Sequence, residues 1–233
     1  MNNFHDRRLP GESEAYRAER DKLIAAEIKL RNHIEEVAAQ RRDLPMGGRL
    51  KEDYVFEEGA ADFSDRETVT RTPLSALFED GKDSLVVYSF MYAPQAETPC
   101  PMCTSLLDGL NGSAPHIGQR INLAVVAKAP IRKIRDWARQ RNWRNLRLLS
   151  SGGTTYNADY FGEMPDGEQI GVVNVFQRTG DTIHHTYHSE LIFVPSAEGQ
   201  NPRHMDLIWP LWNVFDLTPE GRGEGWFPAI AYD

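Results

Sequence analysis

Cysteine is scarce in this sequence, because Cys100 and Cys103 are the only two among 233 residues. This scarcity excludes a framework of several disulfides, and a chain of this length can bury a hydrophobic core without cross-links. It also excludes a zinc site built from two C-x-x-C pairs, so a metal would need histidine ligands in addition. A single C-x-x-C motif is left as the main chemical feature.

The sequence also lacks long apolar runs, since no stretch approaches the roughly 18 apolar residues of a membrane span. Residues 1–22 carry charges where a secretory signal would need an apolar core, which predicts a cytoplasmic protein. A net charge of -8 and a pI near 5.4 disfavour nucleic acid and anionic membrane surfaces as partners. Cytosolic thiols stay reduced, which favours a reactive or metal-binding cysteine pair over a structural disulfide.

The N-terminal region has the pattern of one long amphipathic helix. Residues 13–42 are rich in helix formers, and Leu23, Leu30 and Val37 recur at seven-residue intervals. Such a helix either packs on its own domain or forms a homodimer, and this pattern leaves both alternatives open. We expect a helical arm over residues 1–45 and a second domain over residues 46–233.

The rest of the chain alternates between strand and helix patterns. Strands are predicted at 84–92, 121–127 and 146–149, a hairpin at 169–178 and 182–194, helices after the cysteines, after Pro130 and within 207–215, and a connector with one short helix at 46–82. This order predicts an α/β protein with a mixed sheet flanked by helices. A thioredoxin-like fold satisfies it.

The C-x-x-C motif follows the first predicted strand and opens a predicted helix. Amide groups at a helix start stabilise a thiolate, which lowers a cysteine pKa from about 8.5 to roughly 3.5–7.5. Cys103, three residues after Cys100, would lie on the same helix face and could resolve a mixed disulfide formed there. Two alternatives remain, a metal site completed by histidines and a pair of buried thiols. The candidate histidines are His116, His184, His185 and His188.

Several segments together resemble a bacterial thioredoxin-like family of unknown function whose members are labelled predicted dithiol-disulfide oxidoreductases. They are RRDLP at 41–45, LVVYSFMY at 85–92, CPMC at 100–103, DGLNG at 108–112, KAP at 128–130, NW at 142–143, SSGGTTYNADYF at 150–161, HTY at 185–187 and DLTPEGRGE at 216–224. The resemblance implies a thioredoxin-like fold with Cys100 as the attacking and Cys103 as the resolving thiol.

We therefore expect a dithiol-disulfide oxidoreductase with no metal or organic cofactor of its own. Its partners would be a protein or small-molecule disulfide as substrate and a second redox protein as reductant. The candidate supporting residues are Pro101, Pro130, Tyr156 and Asp159. Two other functions stay open, a peroxiredoxin-like thiol peroxidase and a non-catalytic interaction module that dimerises through the N-terminal helix.

The residues expected around the cysteines differ from those of thioredoxins. Residues 84–92 supply no carboxylate to move a proton from the resolving thiol. Pro165 is the only candidate for the proline that faces the cysteines in thioredoxins, and a surface turn explains it at least as well. The peroxiredoxin spacing from Pro94 and Thr98 places the cysteine position at Pro101 rather than at Cys100. The chain also departs from the bacterial family that it resembles, because residues 189–212 look altered and extended where that family usually has an aromatic-x-Arg-Gly segment. This departure predicts a different partner for the C-terminal third.

Two further patterns have ordinary structural interpretations. The arginines of the basic segment 130–147 are expected on the solvated side of a helix whose apolar stripe faces the sheet. Strand alternation places His184 and His188 on one side of the second hairpin strand and His185 on the other. On this interpretation the three histidines cannot bind one metal ion together.

Overall fold

A computed structural model describes residues 7–79 and 81–232. The chain divides into two compact units between Pro45 and Met46. In the first unit, helix α1 spans Glu14–Arg42, and the Ser13 hydroxyl accepts a hydrogen bond from the Tyr16 N–H at 3.1 Å. This cap satisfies one of the free amides at the helix start and confirms the predicted long helix. Its role in a homodimer stays a prediction.

The second unit is built on one mixed sheet. Within the described residues the strands are β1 (Val55–Gly59), β2 (Val69–Pro73), β3 (Ser84–Ser89), β4 (Asn122–Ala127), β5 (Leu148–Ser150), β6 (Val172–Thr179) and β7 (Thr182–His188). Their order across the sheet is β2-β1-β5-β4-β3-β6-β7. Strands β3, β4 and β5 are parallel, and the other neighbouring pairs are antiparallel.

Helices cover both faces of this sheet. They are α2 (Pro101–Ile117), α3 (Ile131–Arg141), α4 (Tyr156–Asp159) and α5 (Pro210–Phe215), with 3-10 turns at Leu74–Leu77 and Glu190–Phe193. The connection β3-α2-β4-α3 followed by the antiparallel pair β6-β7 is a thioredoxin-like fold, which confirms the predicted fold class. Among the described residues, no helix is long and apolar enough to cross a membrane.

Successive residues of the central strands are buried on opposite faces of the sheet. On β3, Val87 belongs to a core with Tyr156 and Phe176, whereas Tyr88 belongs to a core with Cys103 and other side chains of α2. Strand β4 alternates in the same way. The near-continuous apolar runs in the sequence therefore reflect strands that are covered on both faces.

Two predicted stretches differ from the structure. The supposed connector at 46–82 contains the antiparallel pair β1-β2, whose inward residue Phe56 is fully buried, besides the expected short helix. The apolar signal there is only a few residues long, too short to stand out as strand alternation. The helix predicted within 207–215 comprises only the six residues of α5, Pro210–Phe215. Pro210 lies in its first turn, where proline is favoured because it lacks an N–H.

The arginines of α3 are not all solvated, contrary to the sequence-based expectation. Arg135 is buried, and its guanidinium donates hydrogen bonds to the carbonyls of Ala60 at 2.7 Å, Asp62 at 2.9 Å and Asp65 at 3.1 Å. A Cβ on Gly59 would overlap this side chain. Arg135 therefore stabilises the loop between β1 and β2, because it donates hydrogen bonds to loop carbonyls that have no strand partner.

Replacing Arg135 by methionine should destabilise the protein by about 2–3 kcal/mol, because carbonyls would lose charged donors within a partly buried loop. The measurement is urea unfolding of wild type and variant at matched protein concentration. Arg132→Met is the control, since the Arg132 side chain is 59% exposed and its partner Glu67 is 82% exposed. Equal stability of the two variants would contradict this role of Arg135.

A β-bulge changes the predicted arrangement of the histidines. The register of β6 and β7 shifts between Val175 and Phe176, so that His185 pairs with Phe176 and Tyr187 with Val175. The His185 and His188 rings consequently approach to 6.4 Å between centroids, whereas strict alternation had separated them. No group of three or more metal-ligand side chains occurs in the part of the chain that is described.

Candidate active site at the cysteine pair

Cys100 lies at the N-cap of helix α2, and Pro101 occupies the first helical position. Proline suits this position because its fixed φ fits the helix and its missing N–H would have no partner there. The Thr104 backbone N–H and hydroxyl both donate to the Cys100 carbonyl at 3.0 Å. The Cys100 Sγ accepts a hydrogen bond from the Cys103 N–H at 3.5 Å. Local sequence thus fixes the sulfur at the start of the helix.

The two thiols have different environments. Cys100 is half-buried, whereas Cys103 is 4% exposed and packs in the core between α2 and the sheet. Both cysteines are free thiols. The Cys100 side chain is therefore partly accessible at the start of α2, whereas the Cys103 side chain is enclosed between α2 and the sheet.

Hydrogen bonding shifts the pKa values of the two thiols in opposite directions. The Cys103 thiol, together with the backbone amides of Cys103 and Met102, lowers the pKa of Cys100 to about 6 despite partial burial. The same contact with Cys100, together with burial, raises the pKa of Cys103 well above its usual value. At neutral pH the Cys100 sulfur is mostly thiolate and Cys103 keeps its proton.

Tyr88 and Gly171 border the buried thiol. A Cβ added to Gly171, directly before β6, would stand 3.2 Å from the Tyr88 Oη and 3.4 Å from the Cys103 Sγ. The absence of a side chain at Gly171 therefore leaves room beside the sulfur. A hydrogen bond from Tyr88 acts to lower the pKa of Cys103, so this phenol is the polar neighbour where thioredoxins have a carboxylate.

Of the two interpretations of Pro165, a proline that faces the cysteines or a surface turn, the structure shows the turn. Pro165 lies in a turn in which the Gly167 N–H donates to the Met164 carbonyl at 2.9 Å, and it does not line the cavity at the cysteines. No cis peptide bond occurs within residues 7–79 and 81–232. Gly171 occupies the place next to the buried thiol instead.

The structure brings only one of the four supporting residues to the cysteines. Pro101 is adjacent to Cys100, whereas Pro130 is the exposed residue before α3 and does not line the same cavity. Tyr156 is buried in the core on the opposite face of the sheet. Asp159 binds Lys51 at 2.6 Å and Tyr54 at 2.9 Å at the end of α4. The polar loop that contains these last two residues is structural.

A cavity of about 380 Å³ opens beside the two cysteines. Met91, Met102 and Leu106 form its wall on the side of α2. The opposite wall comes from the C-terminal segment, residues 201–227, which supplies five large apolar side chains. These are Met205, Trp209, Trp212, Trp226 and Phe227. Sequence reasoning missed this wall, and its signal was the density of tryptophans in the last third of the chain.

Ion pairs hold the C-terminal segment in shape. The Arg222 guanidinium donates to the carboxylates of Asp206 at 2.6 Å and Asp216 at 2.8 Å, and its side chain is only 6% exposed. Arg203 donates to the same two carboxylates at 3.0 Å. These contacts connect residues before and after α5, so that the tryptophans are carried by α5 and its flanking loops rather than by the sheet.

Comparison with known proteins assigns the chain to a family. Residues 7–232 match the family described as "Bacterial protein of unknown function (DUF899)", and the chain belongs to that family. No curated protein matches it. The family has no assigned activity, so the function must be argued from the residues of this chain.

Solved structures similar to this chain include several peroxiredoxins. Reduced Prx3 from Vibrio vulnificus in complex with hydrogen peroxide is 15% identical, with 68% of this chain and 91% of that chain covered and a TM-score of 0.45. Thioredoxin peroxidase I from Plasmodium yoelii is 13% identical, with 79% and 100% covered and a TM-score of 0.47. Peroxidoxin BcpB from Mycobacterium tuberculosis is 19% identical, with 71% and 94% covered and a TM-score of 0.42. This distant similarity carries no conclusion about chemistry.

Proposed function

We propose that the protein is a thiol-disulfide oxidoreductase in which Cys100 attacks and Cys103 resolves. The observation that carries this proposal is geometric: the half-buried Cys100 sulfur lies at the N-cap of α2 and accepts the Cys103 N–H, and the buried Cys103 thiol follows three residues later. The pKa of Cys100 is lowered to about 6, and that of Cys103 is raised well above its usual value. An attacking thiol needs to be ionised at neutral pH, and its partner needs to keep its proton until the mixed disulfide has formed.

The reaction needs only the two sulfurs and a substrate disulfide. The Cys100 thiolate attacks one substrate sulfur, a Cys100–substrate disulfide forms, and the other half of the substrate leaves as a thiolate that takes up a proton. Cys103 then loses its proton and attacks Cys100, which releases the second substrate thiol and leaves a Cys100–Cys103 disulfide. The protein loses two electrons and the substrate gains two, and a dithiol reductant restores the starting state.

The environment of Cys103 supports the second step. Once the Cys100 sulfur is bound in a mixed disulfide, it no longer carries the negative charge that raises the pKa of Cys103. The hydrogen bond from Tyr88 continues to favour the Cys103 thiolate. The resolving thiol thus becomes easier to ionise at the moment when it is needed.

The experiment that tests the proposal is the pH dependence of alkylation. Iodoacetamide should modify Cys100 at a rate that rises tenfold per pH unit below about pH 6 and reaches a plateau above it, because only the thiolate reacts. Peptide mass spectrometry identifies the modified cysteine. Cys103 should remain unmodified across the same range, since it is buried and protonated.

Two substitutions at Cys103 provide the controls. Cys103→Ala removes the thiol donor that contributes most to the lowered pKa of Cys100, so the alkylation curve should move toward higher pH. Cys103→Ser retains a hydroxyl donor and should move the curve less. A wild-type curve with a midpoint near 9 would contradict the proposal, because Cys100 would then be an ordinary thiol.

A further inference from the structure

We propose that the cavity beside Cys100 binds a small-molecule disulfide with an uncharged aromatic substituent. This inference rests on the proposed function and names its substrate class. A cavity of about 380 Å³ lies within the size range of small-molecule sites. Both cysteines line it, so a ligand bound there would place its sulfur next to the attacking thiolate.

The aromatic wall of the cavity argues for an aromatic substituent. The Trp209 and Trp212 rings lie 5.4 Å apart at 68°, and Trp212 and Trp226 lie 5.9 Å apart at 85°. This edge-to-face series exposes ring surface toward the cavity mouth, where Trp226 is 41% and Phe227 62% exposed. Another ring can join such a series at favourable angles and remove apolar surface from water.

Charge balance in the wall argues for an uncharged ligand. The two arginines that line the cavity, Arg203 and Arg222, are both paired with the carboxylates of Asp206 and Asp216. An anionic disulfide would have to compete with these internal pairs for the guanidinium groups. A neutral substituent leaves the pairs intact, and they are needed to hold the wall together.

The test compares two disulfides on matched variants. Dipyridyl disulfide has the aromatic ring, whereas hydroxyethyl disulfide is small and aliphatic. Turnover of each is measured with dithiothreitol as reductant, after subtraction of the uncatalysed reaction. Comparing each variant with wild type on the same substrate removes the difference in intrinsic reactivity of the two disulfides.

Trp226→Ala should lower kcat/KM for dipyridyl disulfide roughly tenfold, since loss of one aromatic contact is worth about 1.4 kcal/mol. The loss should be clearly smaller for hydroxyethyl disulfide, which has no ring to lose contact with Trp226. Leu217→Ala is the control, because Leu217 is 83% exposed in the same segment and does not line the cavity. It should change neither rate.

A second measurement on the wild-type protein avoids any effect of Trp226→Ala on folding. Dipyridyl sulfide, the unreactive thioether analogue, should slow the alkylation of Cys100 in a saturable manner. The proposed substrate class would be overturned by two results together. Trp226→Ala would slow both disulfides equally or slow neither, and the thioether would fail to protect Cys100. Cys100-dependent turnover would still persist in that case, so that the proposed function would stand. Absence of turnover with both disulfides in wild type would overturn both proposals.

Discussion

Cys100→Ser should reduce disulfide turnover to the uncatalysed rate. The substitution replaces a thiolate with a hydroxyl that stays protonated at neutral pH, so no nucleophile remains at the start of α2. Cys103 cannot take over, because it is 4% exposed and its pKa is raised by burial and by Cys100. The measurement is steady-state reduction of hydroxyethyl disulfide with dithiothreitol as reductant.

The same variant provides its own control for folding. Serine is a favoured N-cap residue, and its hydroxyl can accept the N–H that now bonds to the Cys100 sulfur. The Tm of Cys100→Ser should therefore equal or slightly exceed that of the wild-type protein. Retained turnover in a variant with an unchanged Tm would disprove the role of Cys100 as the nucleophile.

Cys103→Ser should stop the reaction halfway. Cys100 still attacks, because a serine hydroxyl can donate to its thiolate, but the mixed disulfide has no internal thiol to resolve it. A single equivalent of thiol should be released rapidly, followed by slow turnover limited by attack of the external reductant. Intact mass spectrometry should show one substrate half bound to the protein.

The adduct should map to Cys100 and disappear on treatment with excess dithiothreitol. Wild-type protein mixed with the same substrate, before any dithiothreitol is added, should instead contain the Cys100–Cys103 disulfide, two mass units below the reduced form as two hydrogens are lost. Fast multiple turnover by Cys103→Ser would mean that the second cysteine has no part in the reaction. The proposed two-thiol cycle would then be wrong even if Cys100 remained essential.

The helix that the cysteine pair opens could be predicted from the sequence because its geometry is local. Pro101 and Cys103 lie within three residues of Cys100, and the preceding apolar run requires a buried strand that ends just before them. Strand, cap and helix are all written in consecutive residues, so the prediction of helix α2 needed no information about distant contacts.

The surroundings of the pair could not be predicted because they depend on residues far apart in the chain. Gly171 lies beside Cys103 only because β6 pairs with β3. The tryptophan wall lies across the cavity from α2 because Arg222 pairs with two carboxylates and thereby holds the C-terminal segment in place. The bulge that joins His185 and His188 likewise follows from strand pairing rather than from local propensity. Tyr156 and Asp159 lie away from the cysteines, which the sequence could not show because a polar loop has the same composition beside a site as it has elsewhere.

The C-terminal tryptophans are carried by helix α5 and its flanking loops outside the sheet, while the cysteines are anchored by a helix packed against it. If Cys100 reacts and the tryptophans bind the substrate, as proposed, separate stretches of the gene encode the two properties. Relatives with the same C-x-x-C helix would then acquire new ligand preferences through exchanges in the C-terminal segment alone.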